Sequence, residues 1–244
     1  IIKFKIITPI LQILSFFFKD INKFKNKDFV YYTNDNVDPL SKLLMKFNLH
    51  EAREIKFSKY LFDKMHTIEA GGGIGLMSLY IRKKIDNAKF IILEPNTLFH
   101  PLIKNNLKVN NFSLDNTLLL NKALSVGKPK KIKFIQQQNP FANKIYSENK
   151  TYNYSIKKDE IEVETTTINQ IIKDYGLGDF QLIMDIEGEE YNVFLKDNEW
   201  LERCKCIIYE CHYRNKELEK INNYLIKSGF KMIKKNENIF LFKK

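Results

Sequence analysis

The chain has 244 residues, 44% of them hydrophobic. That is enough for one large α/β domain or a domain with a small appendage, and too apolar for wholesale disorder. A net charge of +11 with a pI near 9.3 would suit nucleic acid, an anionic membrane or an acidic glycan, but the lysines are spread along the chain instead of forming a block, which weighs against a nucleic-acid partner.

Residues 6–18 are the most apolar stretch, but they hold Pro9 and Gln12 and are too short to span a bilayer. No small-residue cleavage site follows them. They are expected to form an amphipathic helix after Pro9, packed on the domain or on a partner subunit. With Lys3, Lys5, Lys19, Lys23 and Lys25 nearby, the stretch also allows a peripheral membrane contact. The chain begins at Ile1 instead of methionine, so its natural start is expected upstream. Asn34-Asp35-Asn36 with Pro39 marks a turn, and short helices are expected over 40–47 and 51–60. Residues 1–60 thus read as an N-terminal helical extension and 61–244 as the main domain.

His66-Thr67-Ile68-Glu69-Ala70-Gly71-Gly72-Gly73-Ile74-Gly75 reads as a strand, a glycine turn and a helix starting near Ile74. Glycines stand at Gly71, Gly73 and Gly75, whereas a dinucleotide fingerprint would need glycine where Leu76 is. Glycine allows positive φ and lets backbone approach a ligand with no Cβ between, and the helix start offers free N–H groups. Such a turn suits a nucleoside with a carboxylate-bearing tail, such as S-adenosylmethionine. A tight strand-to-helix turn without a ligand is the alternative.

A helix over 74–84 follows, with Ile74, Met77, Tyr80 and Ile81 on one face and Ser78 interrupting it. The next strand, 88–93, stops at Glu94-Pro95-Asn96, and Pro95 is expected in the first turn of a helix reaching about Asn110. Strands are expected at 117–120 and 131–136, then a polar loop over the active face at 139–158, then a strand at 161–166. Thr167 caps a helix over 168–175 that Gly176 and Gly178 end. Strands at 180–184 and 205–209 flank a helix starting at Glu190, and a helix over 217–228 stops at Gly229. Strands at 230–233 and 239–242 close the chain, joined by Lys235-Asn236-Glu237-Asn238. The alternation implies a mostly parallel sheet with helices on both faces and a C-terminal antiparallel hairpin. The odd number and close spacing of Cys204, Cys206 and Cys211 argue against a disulfide framework and fit a reducing, cytoplasmic setting. They fall in or beside an apolar strand and read as buried structural thiols instead of zinc ligands.

Glu69, Glu94, Asp185 and Glu210 stand at the carboxyl ends of four predicted strands, the edge where ligands bind in an open parallel sheet. Burying such charges unpaired would be costly. Glu94 follows the glycine turn by about one βαβ unit, where an acidic side chain accepts both ribose hydroxyls. Asp185, Glu187 and Glu189 have three readings: contacts to cofactor or substrate, oxygen ligands to a divalent ion, or acidic residues at a helix N-terminus.

Four ordered stretches resemble the motifs of FkbM-type methyltransferases. They are Glu69-Ala70-Gly71-Gly72-Gly73-Ile74-Gly75, Leu93-Glu94-Pro95-Asn96, Asn105-Asn106-Leu107 with Asn110, and Asp185-Ile186-Glu187-Gly188-Glu189-Glu190. The resemblance covers about residues 66–212. It implies a class I, Rossmann-like fold, S-adenosylmethionine as cofactor and, typically, O-methylation of a hydroxyl on a sugar, glycan or secondary metabolite. Carried over by position, Glu69, Gly71, Gly73, Gly75, Glu94 and Asn96 would line the cofactor, and Asp185 and Glu187 would sit at the active edge. The family usually has Asp where this chain has Glu69, and Asn where it has Gly73.

A hydroxyl acceptor calls for a general base, with Asp185, Glu187, Glu210 and His212 as candidates; His212 also reads as a loop or capping residue. An ion could instead lower the hydroxyl pKa. A nucleic-acid methyltransferase would show an Asn/Asp-Pro-Pro-Tyr/Phe site where this chain has Asp185-Ile186-Glu187-Gly188. A non-catalytic scaffold anchored through the N-terminal apolar segment is the remaining alternative.

Overall fold

The computed structural model describes residues 14–26, 28–49, 52–137, 144–145, 158–213 and 216–244. An antiparallel ribbon of β1 (Lys23–Lys25) and β2 (Val30–Tyr32) comes first. It is followed by β3 (His66–Ala70), β4 (Phe90–Leu93), β5 (Thr117–Leu120), β6 (Lys122–Leu124), β7 (Lys131–Gln137), β8 (Lys144–Ile145), β9 (Lys158–Thr166), β10 (Phe180–Met184), β11 (Cys204–Glu210), β12 (Lys231–Asn236) and β13 (Ile239–Lys243). The central sheet has the order β12-β13-β11-β10-β3-β4-β5. β11, β10, β3, β4 and β5 are parallel, while β13 and β12 are the antiparallel C-terminal hairpin.

Period-two alternation assigns each strand residue to a face. Phe90 and Ile92 enter the core under the helices Leu76–Ile85 and His100–Val109, whereas Ile91 and Leu93 enter the opposite core with the helices Ile168–Tyr175, Glu190–Lys196 and Lys216–Lys227. Both faces being covered explains why β4 is apolar at every position. All three cysteines are buried free thiols. Among the described residues no helix is long and apolar enough to cross a membrane.

The structure moves several expected boundaries for local reasons. Gly75 has φ 86, left-handed, so the helix begins at Leu76 instead of Ile74. Pro95 lies outside any helix: Asn96 Oδ1 accepts from Leu98 N at 3.1 Å and starts a 3-10 turn, Thr97–Phe99, and the helix after it carries Pro101 in its first turn. The C-terminal hairpin turns on Glu237 and Asn238 alone, with Glu237 at φ 55. A second sheet, β6-β9-β7-β8, was not read from the sequence. The loop expected over 139–158 lies largely outside the described residues, as do the apolar residues before 14; Phe16–Phe18 form a 3-10 turn with Phe17 73% exposed.

The region before residue 61 contains the ribbon as well as helices Pro39–Lys46 and Ala52–Ser58, and Phe24, Phe29, Tyr31, Val37, Met45 and Phe57 share a core with the central sheet. The ribbon is fastened by two asparagines one helical turn apart, a spacing that puts them on one face. Asn106 Oδ1 accepts from Tyr32 N at 2.7 Å, and its Nδ2 donates to Tyr32 O at 3.1 Å and Ile74 O at 3.0 Å. Asn110 Oδ1 accepts from Val30 N at 2.9 Å, and its Nδ2 donates to Val30 O at 2.5 Å. The side-chain amides thus stand in for a neighbouring strand.

Asn106→Ala removes the partners of three backbone groups and should cost about 2–4 kcal/mol. Urea denaturation followed by circular dichroism measures it, and an unchanged midpoint would contradict the clamp.

Candidate active site

β3 neighbours β4 on one side and β10 on the other, so the chain crosses in opposite directions from it, and the crevice beyond the strand ends is the ligand position of such sheets. Gly71 N and Gly72 N both donate to Leu93 O at 3.0 Å, and Asp185 N donates to Ala70 O at 2.9 Å. Gly71 has φ 92, and a Cβ there would lie 1.9 Å from the Asp185 carbonyl oxygen. A Cβ on Gly72 would lie 2.5 Å from Ile92 Cγ2, and one on Gly75 3.2 Å from Ile103 Cα. The glycines let the two strand ends and the helix His100–Val109 approach; Gly73 turns the chain at φ 51.

On the β4 side, Glu94 is buried. Its Oε2 accepts from Gly73 N at 2.7 Å and its Oε1 from Asn96 N at 2.7 Å. Burial raises its pKa to about 8 against the pull of those two N–H groups. A carboxylate has about four lone-pair positions, so these bonds leave capacity for further donors. His100 Nε2 lies 2.7 Å from the Glu94 carbonyl oxygen and therefore carries a proton. Glu69 is placed differently: it is buried within β3 and accepts from Ser78 Oγ at 2.5 Å, inside the fold. Burial raises its pKa to about 8, with the Ser78 bond opposing and the Glu94 charge adding. Ser78, which interrupts the apolar helix face, is the partner that keeps this carboxyl satisfied. The structure thus brings Gly73, Glu94 and Asn96 together and turns Glu69 away from the strand edge.

On the β10 side, the loop leaving Asp185 passes through two left-handed residues, Glu187 at φ 56 and Gly188 at φ 114. This folds Gly188 N back to donate to Glu190 Oε1 at 3.1 Å. Glu190, which opens its helix in sequence and structure alike, is fully buried, and its Oε1 lies 2.8 Å from His212 Nδ1. A carboxylate only accepts, so Nδ1 carries the proton. His212 Nε2 lies 3.5 Å from Glu187 Oε2, 3.7 Å from Asp185 Oδ1 and 3.9 Å from Glu210 Oε1. The Tyr213 hydroxyl donates to Gly188 O. Glu189 points away, accepting from Ser125 Oγ at 3.2 Å and Asn192 Nδ2 at 2.9 Å. Glu210 accepts from Asn238 Nδ2 at 2.6 Å, and Glu54 beside it is raised to about 7, first by burial.

Burial raises the Asp185 carboxyl well above its ordinary range, and the Glu210 charge adds to this. Burial pulls His212 down, but the Glu190 bond and the charges of Glu190, Asp185 and Glu187 outweigh it and bring the imidazole to about 10. The edge can therefore store a proton, orient a hydroxyl or attract a cation. One ligand atom each from Asp185, Glu190 and His212 lie within 4.8 Å of one another. The acidic motif and the Glu-Cys-His end of β11 were legible separately; only the parallel pairing of β10 with β11 joins them.

Over residues 69–232 the chain matches the family described as Methyltransferase FkbM domain. No curated protein matches it. Among solved structures it is similar to methyltransferase FkbM from Methylobacillus flagellatus KT, at 12% identity and a TM-score of 0.50, over 97% of this chain and 58% of that one. It is also similar to precorrin-6y C5,15-methyltransferase from Geobacter metallireducens GS-15, at 15% identity and a TM-score of 0.44, over 80% of this chain and 88% of that one. A third likeness is to M. capricolum TrmK in complex with S-adenosyl-homocysteine, at 6% identity and a TM-score of 0.44, over 78% of this chain and 66% of that one.

A buried carboxyl with a raised pKa stabilises the fold while protonated. Its contribution is complete below the unfolded value, 4.5, and is lost as pH rises through about 8. Relative to Glu69→Gln, the wild type should therefore lose stability between about pH 5 and 8, by up to about 1.4 kcal/mol per pH unit. Urea titrations of both proteins across that range check it; parallel profiles would show that Glu69 is ionised throughout.

Proposed function

The chain belongs to the FkbM methyltransferase family, and we propose that it transfers a methyl group from S-adenosylmethionine to a hydroxyl of a sugar, glycan or secondary metabolite. The observation that carries this reading is Glu94, buried beside the switch point and bridging Gly73 N and Asn96 N with one oxygen each. The residues present fit the cofactor. An acidic side chain at the end of β4, with lone pairs to spare, suits the two hydroxyls of a ribose, and the turn at Gly71, Gly73 and Gly75 brings backbone to the same crevice.

S-adenosylmethionine, when bound, supplies a methyl on a positively charged sulfur, and its transfer breaks the S–C bond, makes an O–C bond and leaves a neutral thioether. The protein's part is alignment and proton management. Gly71, Gly73 and Gly75 shape the crevice, Glu94 holds the ribose, and Asn96 fixes Glu94 through its backbone N–H. Asp185, Glu187, Glu210 and His212 form the acid–base set around the acceptor hydroxyl: His212, held protonated by its acidic neighbours, orients it as a donor, and a neighbouring carboxylate receives its proton. Glu190 positions His212 from behind. The acidic edge also favours a sulfonium over an anion at the mouth of the crevice. An acceptor hydroxyl of a neutral or cationic molecule suits this field better than a nucleic-acid phosphate chain.

Calorimetric titration of S-adenosylmethionine and S-adenosylhomocysteine should give micromolar dissociation constants, about −8 kcal/mol. Glu94→Ala should weaken both by roughly 10- to 100-fold, about 1.4–2.8 kcal/mol. Transfer of labelled methyl to a panel of sugars and glycans then tests the acceptor class. Absence of cofactor binding to the wild type would overturn the proposal.

A further inference from the structure

The cluster around His212 carries more negative charge than one imidazole balances. Asp185, Glu187, Glu190 and Glu210 all place a carboxyl oxygen within 3.9 Å of its ring nitrogens. Among the described residues, no lysine or arginine pairs with Asp185, Glu190 or Glu210. A second observation is independent of the charge count. The Glu190 side chain is fully buried, yet its Oε2 receives no hydrogen bond, and Asp185 Oδ1, also buried, receives none. Buried acceptors without donors are costly, and buried acids of this kind are ordinarily paired or bound to a metal.

We propose that Asp185, Glu190 and His212 bind a divalent cation. Their ligand atoms lie within 4.8 Å of one another. The 2.8 Å between His212 Nδ1 and Glu190 Oε1 sets this carboxyl group directly against the ring nitrogen, and its second oxygen, Oε2, is the one without a donor. The ion takes the place of the Nδ1 proton and takes up the two acceptors that lack donors. Nε2 then faces Glu187 Oε2 at 3.5 Å and Glu210 Oε1 at 3.9 Å, carboxylates placed to orient a metal-bound imidazole from its outer side. One imidazole with two carboxylates suits Mn²⁺ and its neighbours in the first transition row. Resting on the methyl-transfer reading above, the ion holds the acceptor hydroxyl oxygen and eases loss of its proton to a neighbouring carboxylate.

The test uses the full chain, freed of metal by chelation and titrated with Mn²⁺ under electron paramagnetic resonance. One saturable Mn²⁺ per chain is expected, with affinity reduced at least about tenfold in Asp185→Asn and in Glu190→Gln. Pulsed measurements should show ¹⁴N modulation from the imidazole, lost in His212→Gln. No saturable binding to the wild type, equal binding in the variants, or a bound Mn²⁺ without ¹⁴N modulation would each overturn the site. If a variant fails to fold by circular dichroism, the wild-type modulation decides. S-adenosylhomocysteine titrated into the same samples separates the two readings: cofactor binding without Mn²⁺ sinks the metal site alone, and Mn²⁺ without cofactor sinks the methyltransferase proposal.

Discussion

The closeness of two chain segments at the switch point governs everything in the candidate site. Gly71 leaves β3 in a left-handed conformation with no room for even a methyl group before the Asp185 carbonyl. That contact brings the glycine turn and Glu94, which belong to the β3–β4 side, against the acidic loop, which belongs to β10. Neither half is the proposed site alone: in the methyl-transfer reading one grips the nucleoside and the other handles the acceptor's proton. The strain of the left-handed Glu187, of order 1–3 kcal/mol for a non-glycine residue, falls in the segment that turns Gly188 back onto Glu190.

The buried acids show how the same residue type is settled in different ways. Glu94 receives two backbone N–H groups and Glu69 receives a serine hydroxyl. Burial nevertheless lifts both into the neutral range, because one or two hydrogen bonds do not replace a full hydration shell. Glu190 is answered by an imidazole and a glycine N–H on one oxygen only. The gradient from well-satisfied to under-satisfied acid runs from the β4 side of the crevice toward the acidic edge at β10.

Much of this was legible along the chain. The apolar runs of β3, β4, β10 and β11, the Thr167 cap and the glycine stop at Gly176 are local signals, and the structure keeps them. The misplaced starts have local causes that periodicity does not see: a left-handed Gly75 delays one helix, and the Asn96 side chain replaces Pro95 as the start of the next. The roles of Ser78, Asn106 and Glu190 were not legible, because each is defined by a partner on another element. Asn106-Leu107 and Glu189-Glu190 stood out as motif text, yet Asn106 serves the ribbon and Glu190 serves His212.

The asparagine clamp also orders events in time. Val30 and Tyr32 receive their rungs from Asn110 and Asn106, 80 and 74 residues further along the chain. During synthesis the ribbon leaves the ribosome before its receptor helix exists, and its rungs wait on closure of a long loop. The ribbon's outer rungs can therefore form only once the helix His100–Val109 exists to receive them. Because Asn106 also holds Ile74 O at the exit of the glycine turn, one side chain couples the seating of the ribbon to the shape of that turn, and loosening the one loosens the other.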